Sequence, residues 1–319
     1  MTSMQSGPAL VQLAHVVRNG FVESKHFGSL LIANKNGAPL LTLGDVGQPV
    51  FPRSAVKPFQ AIAMVRSGLD LPESLLALSA ASHSGGSIHV EGVQQILASA
   101  GLSKDDLQCP LDRPYGDAER KAFGTNSPSR LVHNCSGKHA SMLATCVVNG
   151  WPTATYRDPN HPLQVAIRNE LENASREQVA AVGVDGCGAP LFAISLKGLA
   201  RGFSSLTTST DEATVRVAGA MRSYPERVAG EGRFTTDVMR AVPGLLVKEG
   251  AEGVEAAVGE DGTAIVFKII DGSMRAIPPV LILALKQIGI SSPVLDALGY
   301  VPVLGGGEQV GVIEANPLS

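Results

Sequence analysis

The sequence contains no run of lysine and arginine longer than a pair. Nucleic-acid binding needs concentrated positive charge, so no nucleic-acid partner is expected, and a formal net charge of -3 agrees. No segment approaches the roughly 18 uninterrupted apolar residues of a membrane-spanning helix. Residues 1–7 lack a basic stretch leading into an apolar one, so no signal peptide and no membrane partner are expected. The four cysteines, Cys109, Cys135, Cys146 and Cys187, are far apart and form no CxxC pair. Without an export signal they read as thiols or metal ligands in a reduced, cytoplasmic protein and not as a disulfide framework. Internal repeats and low-complexity linkers are also missing.

What is present is ample core material: 319 residues, 44% of them hydrophobic and 17% charged, enough for one large domain. Strand character marks residues 11–17, 29–34 and 40–43, with Asn36-Gly37-Ala38 as a hairpin turn. It returns at residues 263–270 and, after the Asp271-Gly272 turn, at 274–277. An apolar helix is expected over 280–285. Between these ends the apolar spacing is helical, as at Phe59, Ile62 and Ala63, at Val90, Val93 and Leu97, at Met142, Leu143 and Cys146, and at Leu163, Ile167 and Leu171. Gly68, Gly101 and Gly150 fall where helix-ending glycines belong. The order of strands, helices and strands predicts an α+β single domain. Its antiparallel sheet is built from the two ends, about 8–50 and 255–319, and its helical part covers about 51–254.

Six segments can carry chemistry. In Pro52-Arg53-Ser54-Ala55-Val56-Lys57-Pro58 a serine stands three residues before a lysine, on one face of a helical turn. A hydroxyl needs a base to become a nucleophile, and lysine serves only when burial or nearby cations keep it partly neutral. Pro58 has no N–H to donate and so belongs in a first helical turn. That puts Ser54 at a helix start, where free amides favour negative charge. The spacing by itself also fits an ordinary helix start with an exposed lysine. Ala81-Ser82-His83-Ser84-Gly85-Gly86 reads either as a solvent loop or as the source of a second hydroxyl, Ser82. Lys268 interrupts an apolar strand, which fits snorkelling at a sheet edge or projection into a cleft. A cysteine opens a helix in Asn134-Cys135-Ser136-Gly137-Lys138-His139, and another lies in the turn Asp185-Gly186-Cys187-Gly188. Two thiols with Lys138, His139 and Asp185 near them can bind a metal such as zinc or simply pack two turns. Val228-Ala229-Gly230-Glu231-Gly232-Arg233 places both charges between glycines, to position a substrate carboxylate or amine or to cap helices.

Taken together and in this order, these segments resemble the asparaginase II family, the Rhizobium etli type of L-asparaginase, across about residues 10–315. NCSGKH and VAGEGR are its most specific strings. The resemblance implies a fold similar to serine β-lactamases and glutaminases, and hydrolysis of L-asparagine to aspartate and ammonia. It implies two Ser–Lys tandems, Ser54 with Lys57 and Ser82 with Lys268, and Arg53, Asp185 and Glu231 at the substrate. It further implies a modulating zinc ion on Cys135, Lys138 and Cys187, with Lys138 neutral, and a homodimer. A glutaminase, a penicillin-recognising serine hydrolase and a non-catalytic zinc-binding protein are the alternatives. The penicillin-recognising enzymes share the Ser–Lys parts, but Lys268-Ile269-Ile270 is not their Lys-Thr-Gly.

Overall fold

A computed structural model describes residues 9–318. The segment on which the export expectation rests lies outside the described residues. Three strands open the chain, β1 (Val11–Arg18), β2 (Phe21–Ala33) and β3 (Pro39–Leu43), with a short β4 (Pro49–Val50) after them. Helices follow: α1 (Lys57–Arg66), α2 (Glu73–Ser79), α3 (Ser87–Ser99), α4 (Asp117–Phe123), α5 (Ser136–Asn149) and α6 (Pro162–Ser175). A hairpin of β5 (Ala181–Val184) and β6 (Pro190–Ser195) leads into α7 (Leu196–Thr208), α8 (Glu212–Ser223), α9 (Pro225–Val228) and α10 (Phe234–Ala241). The chain ends with β7 (Leu246–Gly250), β8 (Val254–Val258), β9 (Ala264–Ile269), α11 (Ile277–Gln287), α12 (Pro293–Gly299), β10 (Val301–Gly305) and β11 (Glu308–Ala315).

The main sheet is antiparallel, in the order β10-β11-β1-β2-β9-β8-β7, with β3 also paired to β2. The two ends of the chain meet within it, Ala14 opposite Ala315 and Ser29 opposite Lys268. Alternation along β9 divides the core. Ala264 and Val266 face the helical part, and Ile265, Phe267 and Ile269 face α10 and α11. Covering both faces lets its strands be almost wholly apolar.

The expected α+β order holds, with two adjustments. The sheet resumes at Leu246 and not at about 255, because β7 carries Lys248 and Glu249 and lacks the pattern of an apolar strand. Glu252 and Gly253, at φ +61° and +70°, turn this strand back onto β8. Residues 274–277, expected as a strand, form a single tight turn and then the start of α11, whose first turn accommodates Pro278 and Pro279. The helical part also contains a small sheet, β4-β6-β5.

The central helix is α5, buried from Ser136 to Cys146. It crosses α2 so closely that a Cβ on Gly137 would stand 2.6 Å from the carbonyl oxygen of Leu78. Glycine is required there for contact, not for backbone freedom. Gly150, at φ +65°, ends α5 in the left-handed conformation, as the sequence predicts.

Candidate active site

Main-chain hydrogen bonds join three of the sequence motifs. The amide of Ser82 donates to the Val228 carbonyl (2.9 Å), that of His83 to Asn134 (3.0 Å) and that of Ser84 to Ala229 (2.7 Å). The Ala81–Ser84 segment is therefore held between the two most specific strings of the sequence. His83 completes the joint: Ser136 Oγ donates to the Leu131 carbonyl, so its 3.0 Å contact with His83 Nε2 is a bond donated by the imidazole. Burial, followed by the neighbouring His89, lowers the His83 pKa well below its usual range.

Ser54 lies half-buried in the tight turn Arg53–Val56 that feeds α1, and Arg53 is held there at φ +54°. Pro58 occupies the first turn of α1. Lys57 is 1% exposed and points inward. Its Nζ donates to the Ala81 carbonyl (2.5 Å), to Ser82 Oγ (3.0 Å) and to Cys135 Sγ (3.1 Å). Among the described residues no hydrogen bond joins Ser54 Oγ to Lys57, although the two share one turn.

The second amine at Ser82 differs from the expected one. Lys248 Nζ on β7 donates to Ser82 Oγ at 2.9 Å and to the Glu249 carbonyl at 2.9 Å. Lys268 on β9 donates to the carbonyls of Glu252 and Ile269 and lines a different cavity with Arg53, Phe51 and Leu191. Both lysines project from the same face of the sheet, but Lys248 is on the edge strand beside the helical part, whereas Lys268 is opposite Val254. The pairing of Ser82 with Lys268 is therefore corrected to Ser82 with Lys248. A signal was available: Lys248-Glu249-Gly250 is a Lys-x-Gly triplet on a late strand, closer to Lys-Thr-Gly than Lys268-Ile269-Ile270. Burial brings the Lys248 pKa down to about 7; Glu249 opposes the shift and the Lys57 charge adds to it. Near neutral pH this amine is divided between its charged and neutral forms.

Glu231 does not join the cluster. Its carboxylate takes both arms of Arg240, at 2.6 and 2.8 Å, on the exposed surface. The glycines on either side turn it outward, and the charged residue of the motif that faces inward is Arg233. Arg53 and Asp185 do come together, with Nε donating to Oδ1 at 2.8 Å.

Cys135 caps the N-terminus of α5, Lys138 lies in its first turn and Cys187 lies in the β5–β6 hairpin; all three are buried. Lys138 Nζ is 3.1 Å from Cys187 Sγ, and Asp185 Oδ2 is 3.8 Å from the same sulfur. A hydrogen bond from Cys135 lowers the Cys187 pKa against the effect of burial, and the same bond together with burial raises that of Cys135. Burial opposes the charge on Lys138, but Cys187, Cys135 and Asp185 outweigh it and raise its pKa. Two sulfurs and an amine converge with a carboxylate at hand, a donor set that suits a borderline-soft cation such as zinc. Among the described residues there is no group of three or more His, Cys, Asp or Glu side chains placed for a metal. A metal here would therefore need the amine.

No match was found among curated proteins. Among solved structures, the chain is similar to a putative β-lactamase from Bacteroides dorei (14% identity, 75% of this chain and 84% of that one, TM-score 0.44). It is also similar to a β-lactamase from Mycobacterium bovis (15% identity, 82% and 95% covered, TM-score 0.46) and to EstCE1, a hydrolase with promiscuous acyltransferase activity (12% identity, 85% and 93% covered, TM-score 0.42). Among the described residues no helix is long and apolar enough to cross a membrane. The family model described as L-asparaginase II matches residues 14–315 and spans every residue of the buried cluster, and the chain belongs to this family of hydrolases.

Proposed function

We propose that the protein hydrolyses the side-chain amide of L-asparagine to L-aspartate and ammonia through a serine nucleophile activated by lysine. The observation that carries this reading is the buried chain Lys57 Nζ–Ser82 Oγ–Lys248 Nζ, with contacts of 3.0 and 2.9 Å and one amine poised near neutral pH. Ser54, the less buried serine, attacks the amide carbon. Lys57, one turn along, takes its proton after ceding one of its own through Ser82 to the neutral form of Lys248. Ser82 and Lys248 carry that proton toward the departing ammonia. Water then releases aspartate from the acyl-enzyme.

A second reading makes Ser82 the nucleophile, because its hydroxyl is the one in contact with both amines. Mass spectrometry of a trapped acyl-enzyme separates the two. We also propose that Cys135, Lys138 and Cys187 hold a zinc ion and that the enzyme is a homodimer, both on the family resemblance. When bound, the ion supplies positive charge beside the substrate, while the surrounding residues orient the amide.

The decisive assay is ammonia release from asparagine and glutamine side by side, because a single extra methylene is weakly rejected by binding alone. Ser54→Ala is expected to abolish release while leaving the fold intact. Full activity in that variant overturns the Ser54 assignment, and glutamine preferred over asparagine overturns the substrate.

A further inference from the structure

Ser84 Oγ and Arg233 Nη1 are buried and have no hydrogen-bond partner among the described residues. Neither has a role in the proton chain, and Arg233 is the inward-facing charge of the Val228–Arg233 motif. Its guanidinium is held rigidly. Nη2 donates to Glu249 Oε1 at 2.6 Å, and the plane lies over the Tyr115 ring at 4.6 Å. Those two contacts leave Nη1 as the free arm. Glu249 directly follows Lys248 on β7 and Ser84 lies two residues beyond Ser82, so the carboxylate that holds the arginine and the orphan hydroxyl are each next to a member of the proton chain in sequence.

Gly230 is where the Ser84 hydroxyl and the stem of Arg233 approach each other. At φ +140° it adopts a conformation open mainly to glycine. A Cβ there would overlap Ser84 Oγ and come within 3.6 Å of Arg233 Cγ. The missing side chain is what allows the hydroxyl and the arginine stem to approach. A guanidinium N–H and a hydroxyl, both buried without partners and carried by residues that meet at Gly230, match the acceptor pair of a carboxylate. Leaving them unpaired is unfavourable, so a substrate lacking the carboxylate is rejected.

We propose that Arg233 and Ser84 form the subsite for the α-carboxylate of an amino-acid substrate. They orient the side-chain amide toward the serine–lysine cluster and set selectivity for free amino acids over simple amides. This rests on the amidohydrolase reading above. Arg233 binds and orients substrate and transfers no proton.

The test compares L-asparagine with 3-aminopropanamide, which has the same amide and amine and lacks the α-carboxylate. Arg233→Gln is expected to lower kcat/KM for asparagine at least tenfold more than for 3-aminopropanamide, mainly through KM, and Ser84→Ala should lower it in the same direction by less. An equal loss on both substrates shows a purely structural role and overturns the proposal. Calorimetry of L-aspartate against β-alanine, which keeps only the other carboxylate, reads the subsite without turnover. Tighter aspartate binding that disappears in Arg233→Gln supports it even if no amide is hydrolysed. Equal binding of the two ligands by the unmodified protein overturns it.

Discussion

Lys248 Nζ donates to Ser82 Oγ at 2.9 Å across 166 residues of sequence. The contact links the edge strand of the sheet to the helical part and replaces the pairing with Lys268. Lys248→Met is expected to lower ammonia release from asparagine by about 100- to 10,000-fold, the usual contribution of a positioned acid or base. Lys268→Met should stay within about threefold of the unmodified enzyme, since its amine serves backbone carbonyls on another cavity. Steady-state kinetics on both variants checks this, and the reverse ranking restores Lys268.

Burial holds Lys248 near pH 7, so its neutral form gains as pH rises through that value. If this amine accepts a proton in the reaction, kcat/KM rises with pH through about 7, and Lys248→Arg abolishes that limb. A flat profile between pH 6 and 8 contradicts the role.

The same lowered pKa affects stability. The unfolded lysine binds a proton up to its ordinary pKa of 10.5 while the folded one releases it near 7. The unfavourable effect is therefore complete below about pH 7 and fades as pH rises toward 10. Lys248→Met should be more stable than the unmodified protein in urea melts at pH 6.5, with a margin that narrows by pH 9.5. A margin that widens contradicts the assignment.

Removal of Cys187 breaks the donor set of two sulfurs and an amine. Cys187→Ala is expected to retain no stoichiometric zinc after dialysis, whereas Cys146→Ala, well away from the donor set on α5, should match the unmodified chain. Because Cys135 and Lys138 are both held toward their protonated forms, zinc binding should release protons and tighten with pH. Elemental analysis and calorimetry in two buffers of different ionisation enthalpy report both effects. Equal zinc content in the two variants contradicts the site.

At Gly137 a methyl group would press on the Leu78 carbonyl at 2.6 Å. Gly137→Ala should destabilise the fold by about 1–3 kcal/mol despite the better helix propensity of alanine. An unchanged melting temperature shows that α5 and α2 can part without loss.

Local signals explain what the sequence revealed. Apolar spacing located α1, α3, α5 and α6, Pro58 placed the start of α1, and the strings around Cys135 and Gly230 gave the family. The errors arose where long-range pairing overrode a local pattern. Residues 246–250 carry two charges in five positions, so nothing nearby marks them as a strand; pairing with β8 makes them one. Lys268 drew attention as a charge in an apolar run, while the lysine that meets Ser82 was hidden by its glutamate neighbour. Glu231 and Arg233 are indistinguishable in composition, and only the turn geometry sends one outward and the other in.

The location of Lys248 on the last strand of the sheet has a consequence for how the enzyme fails. Edge strands open at lower free energy than interior ones, and here the edge holds half of the support for Ser82. Mild heat or denaturant that frays β7 would silence turnover while the β1, β2 and β9 core still melts as a unit. Loss of activity would then be an early warning of denaturation, well ahead of any change in circular dichroism.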